Sequence, residues 1–283
     1  MQTLLLPKCL IVALENIENN IEQVSKAFSA QAEHFDSDEE SNLILQWMRK
    51  QIYHHEEEFL LPHSNILELN AGTGIDAIYF AQMGHSVFAI DNAPGMVHQL
   101  QKKIAEFHFQ DRIQSVLCSF TQLQTLPAQQ FSHVFSNFGG LNCIPNLQEV
   151  VSQLPRLLKP GATVTFVIMP RLCPWEIAQA FRGKIRLAFR RFSRNGTSAH
   201  IDGVRFLSYY YSPGQVIESF GNRFVLVRLR GLASLSPPPY YDTFPRKHPR
   251  IYDLLTGLDE RFSTLPPFNR WADHFIITLK YQP

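Results

Sequence analysis

Two acids flank a short glycine-containing turn in this chain of 283 residues, and their spacing points to a chemistry. Glu68 lies inside the apolar run 66–69 (ILEL), two residues before Asn70-Ala71-Gly72-Thr73-Gly74. Asp91 closes a second apolar run, 87–90 (VFAI). A tight glycine turn brings backbone N–H groups close to a ligand, and a carboxylate at the tip of the next strand can accept from ribose hydroxyls. The pattern predicts a nucleotide held over the turn, with Asp91 at its sugar. Such residues need rigid supports. Residues 66–69 and 87–90 read as buried strands, and 75–83 has helical spacing with Ile75, Ile78, Tyr79 and Met83 on one face. Gly84 ends that helix, which completes a strand–turn–helix–strand unit.

A dinucleotide fingerprint carries a third glycine early in the helix, whereas Gly74 is followed by Ile75, Asp76 and Ala77. The acid, spacer and G-x-G of E-L-N-A-G-T-G, with Asp91 downstream, resemble motif I and the post-strand-2 acid of class I S-adenosylmethionine (SAM) dependent methyltransferases. That family usually has glycine where Asn70 stands; Asn tolerates positive φ, so the turn should survive. The resemblance implies an α/β fold, a Rossmann-like seven-stranded sheet with an antiparallel last strand, and SAM as cofactor. It further implies that Glu68 supports the turn and the methionine amino end. The backbone of Asn70, Ala71, Gly72 and Gly74 would line the amino-acid portion, Asp91 would bind the ribose diol, and Asn92 and Met96 would border ribose and adenine. Residues 28–36 (FSAQAEHFD) resemble the F-x-x-x-A-x-x-[YF]-D segment that precedes the core in many small-molecule members, which makes Phe35 a candidate lid residue. At the end of the third strand, 113–117, the family commonly has an acid for the adenine amino group. Here Cys118-Ser119-Phe120 follows, leaving a serine hydroxyl or the backbone to substitute. The fourth strand, 131–137, should open onto the methyl donor and place Asn137 at the cofactor border. The L-K-P-G-A stretch 158–162 resembles the family's turn before strand five, 163–169, and the likeness is specific over about residues 28–170.

Composition narrows the function classes. Hydrophobic residues make up 45% of the chain and charged residues 18%, enough for a sizeable globular core. A net charge of +1 exerts no overall pull toward nucleic acid or anionic membrane. Cys9, Cys118, Cys143 and Cys173 form no CxxC pair, so neither zinc nor a disulfide scaffold is indicated, and a reduced cytoplasmic setting fits. The apolar stretch 4–14 is broken by Pro7 and Lys8 and is too short to span a bilayer. No metal site is expected: His54, His55 and Glu56–Glu58 read as a solvated helix face.

The remaining elements should enclose an acceptor. Residues 15–60 read as two helices forming a lid, residues 1–60, ahead of a cofactor-binding core over 61–170. A substrate cap follows over 171–222, and 223–283 carries the last two strands, 224–229 and 274–281, with a Pro-rich cap between them. Residues 175–194 read as one amphipathic helix, with Arg182, Arg186 and Arg190 forming a stripe suited to an acidic substrate, a phosphate-bearing carrier or a membrane surface. Residues 200–211 read as extended and aromatic. His200 and Tyr209, with Asn142 after strand four, are the candidate acid–base or orienting groups. Asp273-His274 begins the last strand, where neighbours should face opposite sides, so no catalytic pair is expected there.

The chain should therefore move a methyl group from SAM to a small or medium-sized, partly apolar molecule. Ser136-Asn137-Phe138-Gly139 lacks both prolines of the amino-methyltransferase signature [DNS]-P-P-[YF], which disfavours nucleobase and glutamine acceptors. The acceptor atom and the oligomeric state stay open. A second reading is a SAM-binding partner or regulator without turnover, since Asn70 and Ser119 depart from pattern. An NAD-linked oxidoreductase is a third, opposed by the missing glycine and the single nucleotide-binding half.

Overall fold

The computed structural model describes residues 8–127 and 129–283, so part of the apolar stretch 4–14 lies outside the described residues. Strands β1 (Asn65–Leu69), β2 (Ser86–Asp91), β3 (Ile113–Leu117), β4 (Phe131–Ser136) and β5 (Leu158–Ile168) run parallel, as their apolar character requires. A small hairpin, β6 (Thr197–Ile201) and β7 (Val204–Ser208), stands apart from β8 (Phe224–Leu232) and β9 (His274–Tyr281). The main sheet has the order β3-β2-β1-β4-β5-β9-β8, with β9 antiparallel to both neighbours. This is the expected seven-stranded α/β sheet. The order reverses between β1 and β4, and that switch point opens a crevice beyond the strands' carboxyl ends.

The helices in chain order are α1 (Lys8–Gln31), α2 (Phe35–Ser41), α3 (Leu43–Glu57), α4 (Ile75–Gln82), α5 (Pro94–Glu106), α6 (Gln148–Val151), α7 (Pro174–Ile177), α8 (Ile185–Ala188), α9 (Pro213–Phe220), α10 (Phe244–Lys247) and α11 (Pro249–Phe262). Side chains alternate across the sheet. Leu67, Leu69, Val134 and Phe166 pack on one face, and Ile66, Phe135 and Ile276 meet Phe80 of α4 and Met48 of α3 on the other. Among the described residues no helix is long and apolar enough to cross a membrane.

Several expectations are corrected. The region 15–60 holds three helices, because Asn42 starts a fresh one by accepting from the N–H groups of Ile44 and Leu45 at 3.0 and 3.3 Å. Strand five begins at Leu158 and takes the Lys159–Gly161 kink into itself. Between β4 and β5 the chain makes one helical turn, α6, followed by a 3-10 turn. The amphipathic helix 175–194 is broken into α7, α8 and two 3-10 turns, with Gly183 at φ 74° splitting it. The arginine stripe goes with it, since a stripe needs an unbroken helical period. His55 and Glu56 are fully buried rather than solvated.

Candidate active site

A cavity of about 340 Å³ occupies the crevice beyond β1, β2 and β4. Its floor is the turn Asn70–Thr73, with Asp91 and Asn92 from the end of β2 and Asn137, Phe138 and Gly140 from the loop after β4. Phe28, Gln31 and Phe35 of α1 and α2 line the opposite wall with Arg49 of α3.

The turn explains itself locally. Asn70 adopts φ 48° and Gly72 φ 58°, both left-handed. Asn70 is held in that conformation from β4, accepting from Ser136 Oγ at 2.6 Å and donating to the Asn137 carbonyl at 3.0 Å. It thereby occupies the space a side chain on Gly140 would need, since a Cβ there would lie 2.3 Å from Asn70 Cγ. No atom lies within 4 Å of a Cβ built on Gly72, so a side chain there would stand in open space at the cavity edge. Asp91 reaches across from β2 and accepts from Gly72 N–H at 2.9 Å and Ala93 N–H at 2.8 Å. Burial raises its pKa, while those backbone donors pull the other way. Each carboxylate oxygen keeps lone-pair capacity for a ligand hydroxyl.

An ionic cluster that sequence reasoning missed forms one wall. Asp76, in the first turn of α4, accepts from Tyr53 Oη at 2.7 Å, from Asn137 Nδ2 at 2.8 Å and from Arg49. Arg49 also pairs with Glu39 and lies 4.7 Å over the Phe138 ring. Burial works against the Arg49 charge, yet Asp76 and Glu39 outweigh it and hold the guanidinium firmly protonated. Both key residues left a trace in the sequence. Arg49 shares a helical face with Leu45 and Ile52, and Asp76 shares one with Phe80, so each is a charge on an apolar stripe.

Glu68 points to the same side from inside β1 but does not reach the cavity surface. Its Oε2 is buried without a hydrogen-bond partner among the described residues. Burial, with Asp76 and Asp91 nearby, raises its pKa well above the usual carboxyl range, opposed only by Arg49. Gly74 (φ 84°) is covered by Leu100, 2.2 Å from where its Cβ would be, and so serves the packing of the turn on α5. Met96 and Phe120 line the cavity. Ser119 instead borders an adjoining groove of about 600 Å³ that shares Asn92 with the cavity.

The three acid–base candidates are not brought to the cavity. His200 is exposed on β6. Asn142 is fully buried, accepts from Met169 N–H at 2.9 Å and donates to the carbonyls of Met169 and Tyr209, which makes it a loop clamp. Tyr209 packs over Gly196 and donates its own N–H to Asn142. His274 lines the cavity instead, its ring edge-on to Phe138 at 5.9 Å. Its Nδ1 lies 2.9 Å from Asp273 Oδ2, so the two residues do pair. The alternation rule fails there because Asp273 precedes the first residue of β9 and is not pleated. Arg191 in turn holds Asp273 Oδ1 at 2.6 Å and Glu176 at 2.7 Å. Burial alone would raise the Asp273 pKa; His274 and Arg191 reverse that and keep it far below the usual range. Cys173, Glu176 and Asp273 cluster closely enough to suggest a metal site, but Arg191 already takes both carboxylates.

A methyltransferase-domain family model matches residues 66–161. Malonyl-[acyl-carrier protein] O-methyltransferase of Enterobacter lignolyticus is 27% identical over 145 residues, 50% of this chain and 54% of that protein. The chain thus spans about half the length of that curated relative. A SAM-dependent methyltransferase from Methanosarcina mazei superposes with a TM-score of 0.56 at 13% identity, covering 80% of this chain and 96% of the other. Geranyl diphosphate C-methyltransferase from Streptomyces coelicolor A3(2), solved with geranyl diphosphate and S-adenosyl-L-homocysteine, gives 0.52 at 12% identity over 82% and 79%. At such identities the structural likeness is one of fold. Over residues 66–161 the chain is similar to a methyltransferase domain, and the strand order and the glycine turn agree with that match.

Proposed function

We propose that this protein transfers a methyl group to a small or medium-sized, partly apolar acceptor held beside His274. The observation that carries the reading is one cavity with Asp91 and the glycine turn along its floor and, in its wall, His274 backed by Asp273. The residues present fit SAM: the open space at Gly72 and the spare lone pairs of Asp91 suit an amino acid joined to a nucleoside. When bound, SAM supplies an electrophilic methyl on a sulfonium. Asp91 would hold the ribose diol, Asn92, Met96 and Phe120 the nucleoside, and Ala71, Gly72 and Asn137 the amino-acid end. Arg49 is the cation available to a carboxylate. Glu68, Gly74 and Ser119 would act from behind, by supporting the turns that line the site. Phe28 and Phe35 would exclude water, with α1–α3 as the lid, 61–170 as the donor core, and 171–222 with the later strands completing the chamber. His274 would take a proton from an acceptor hydroxyl or amine, its tautomer set by Asp273. Holding donor and acceptor together can supply about 7–11 kcal/mol of the barrier.

Calorimetry of SAM and S-adenosylhomocysteine on wild type and Asp91→Ala tests the donor site. Affinity should fall at least about tenfold in the variant, about 1.4 kcal/mol. Absence of binding to wild type by either ligand overturns the proposal.

A further inference from the structure

The segment between Glu176 and Asp202 contains Arg182, Lys184, Arg186, Arg190, Arg191 and Arg194 and not one acid, in a chain whose net charge is +1. Its fold divides these cations. Arg190 and Arg191 turn inward onto Glu176, and Arg191 goes on to Asp273. Arg182, Lys184, Arg186 and Arg194 are exposed and form no salt bridge among the described residues. Beside them the same segment displays large apolar side chains: Phe181 is 94% exposed, Ile185 55%, Phe189 52% and Phe192 44%. The Phe189 and Phe192 rings lie 6.0 Å apart, and α8 packs against the 3-10 turn that carries Phe181. Four large apolar side chains in water on so short a unit are an unfavourable display for a surface with no partner.

We infer that the 178–194 segment is an interfacial anchor that seats on an anionic lipid surface. Protruding rings enter the acyl boundary while flanking Lys and Arg meet lipid phosphates. A second copy of the chain is a poor occupant, because it would set two unpaired cationic clusters face to face. A folded acidic protein would need pockets for rings that stand out singly, whereas a lipid surface deforms around them. The break at Gly183, which removes the continuous helix, also lets Phe181 and Ile185 point outward while Arg191 faces the core. Because Arg191 grips Asp273, the anchor lies one ion pair from the cavity wall. An apolar acceptor dissolved in the bilayer would thus have a short path to the site.

Sedimentation of the intact protein with vesicles of phosphatidylcholine, alone or with about one-third phosphatidylglycerol, tests this. Binding is expected on the anionic vesicles and should weaken from about 0.1 to about 0.5 M salt. Each of Arg182→Glu and Arg186→Glu should lower partitioning about fivefold. Phe181→Ser should lower it about tenfold, with S-adenosylhomocysteine affinity unchanged as the check on folding. Equal binding to neutral vesicles overturns the inference, as does none at all. So does a dimer that Phe181→Ser dissociates without any vesicle binding.

Discussion

In the proposed reaction, removal of a proton from the acceptor would fall to one imidazole, and the residue before it decides which nitrogen is free. The Asp273 carboxylate can only accept at Nδ1, so Nε2, for which no partner is found among the described residues, is the nitrogen left for an acceptor. Replacing His274 by Gly should lower methyl transfer to a hydroxyl or amine acceptor about 10²–10⁴-fold while leaving S-adenosylhomocysteine affinity intact. Imidazole added to that variant should restore part of the rate, and a variant as fast as wild type would remove the base assignment. At this scale the sequence was readable wherever chain neighbours decide the outcome. Asn70 and Gly72 needed positive φ, and Asp91 had to end β2, on local grounds alone. Arg49, Asp76 and His274 became site residues only when α3, α4 and β9 converged. Spacing along the chain holds no record of that meeting.

Elements carry their own chemistry, and α3 does so on its hidden side. His55 Nε2 lies 2.7 Å from Thr278 Oγ1, Thr278 lies 2.8 Å from Thr165, and His133 joins Thr163 at 2.7 Å, a polar row crossing β4, β5 and β9 beneath the helix. Glu56 Oε2 stands 2.7 Å from His133 Nε2, close in distance though poorly aligned for a hydrogen bond. Burial, with Arg230 and Arg228 adding to it, pushes the His55 pKa down to about 3. An unfolded chain would protonate that imidazole near pH 6.5, so the folded state loses stability as pH falls from about 6.5 toward 3. Urea unfolding should therefore show about 2 kcal/mol less stability from this residue at pH 5 than at pH 7, and His55→Gln should flatten that dependence. A pH-independent midpoint would mean that water reaches His55. Run-of-residues reasoning put this patch in solvent because five polar side chains in a row look wet. Two of them meet partners on strands distant in sequence, Thr278 for His55 and His133 for Glu56, which no local pattern reports. The helix expected over 175–194 failed for the opposite reason, since its period was right but Gly183 broke it.

For the molecule as a whole, the donor half was legible and the closure around it was not. Parallel apolar strands in sequence order fix the sheet and its switch point. What covers the crevice depends on contacts such as Asn20, whose side chain ties α1 to the Cys143 carbonyl at 2.9 Å and to both backbone groups of Leu207. Arg191 does the same for the cap. Arg191→Ala leaves Asp273 and Glu176 buried with fewer counter-charges and should cost about 3–5 kcal/mol in urea unfolding. Preserved stability in that variant would show the cap to be held by packing alone. One last tie has a consequence for timing. Asp36, next to Phe35, accepts from Thr73 Oγ1 at 2.5 Å and pairs with Lys103, and Lys103 donates to Thr73 at 3.2 Å. The far wall of the cavity is thus buckled to the turn that forms its floor. In the proposed cycle, exchange of spent donor for fresh would wait on that buckle, and the slow beat would then belong to a three-residue clasp and not to the making of a bond.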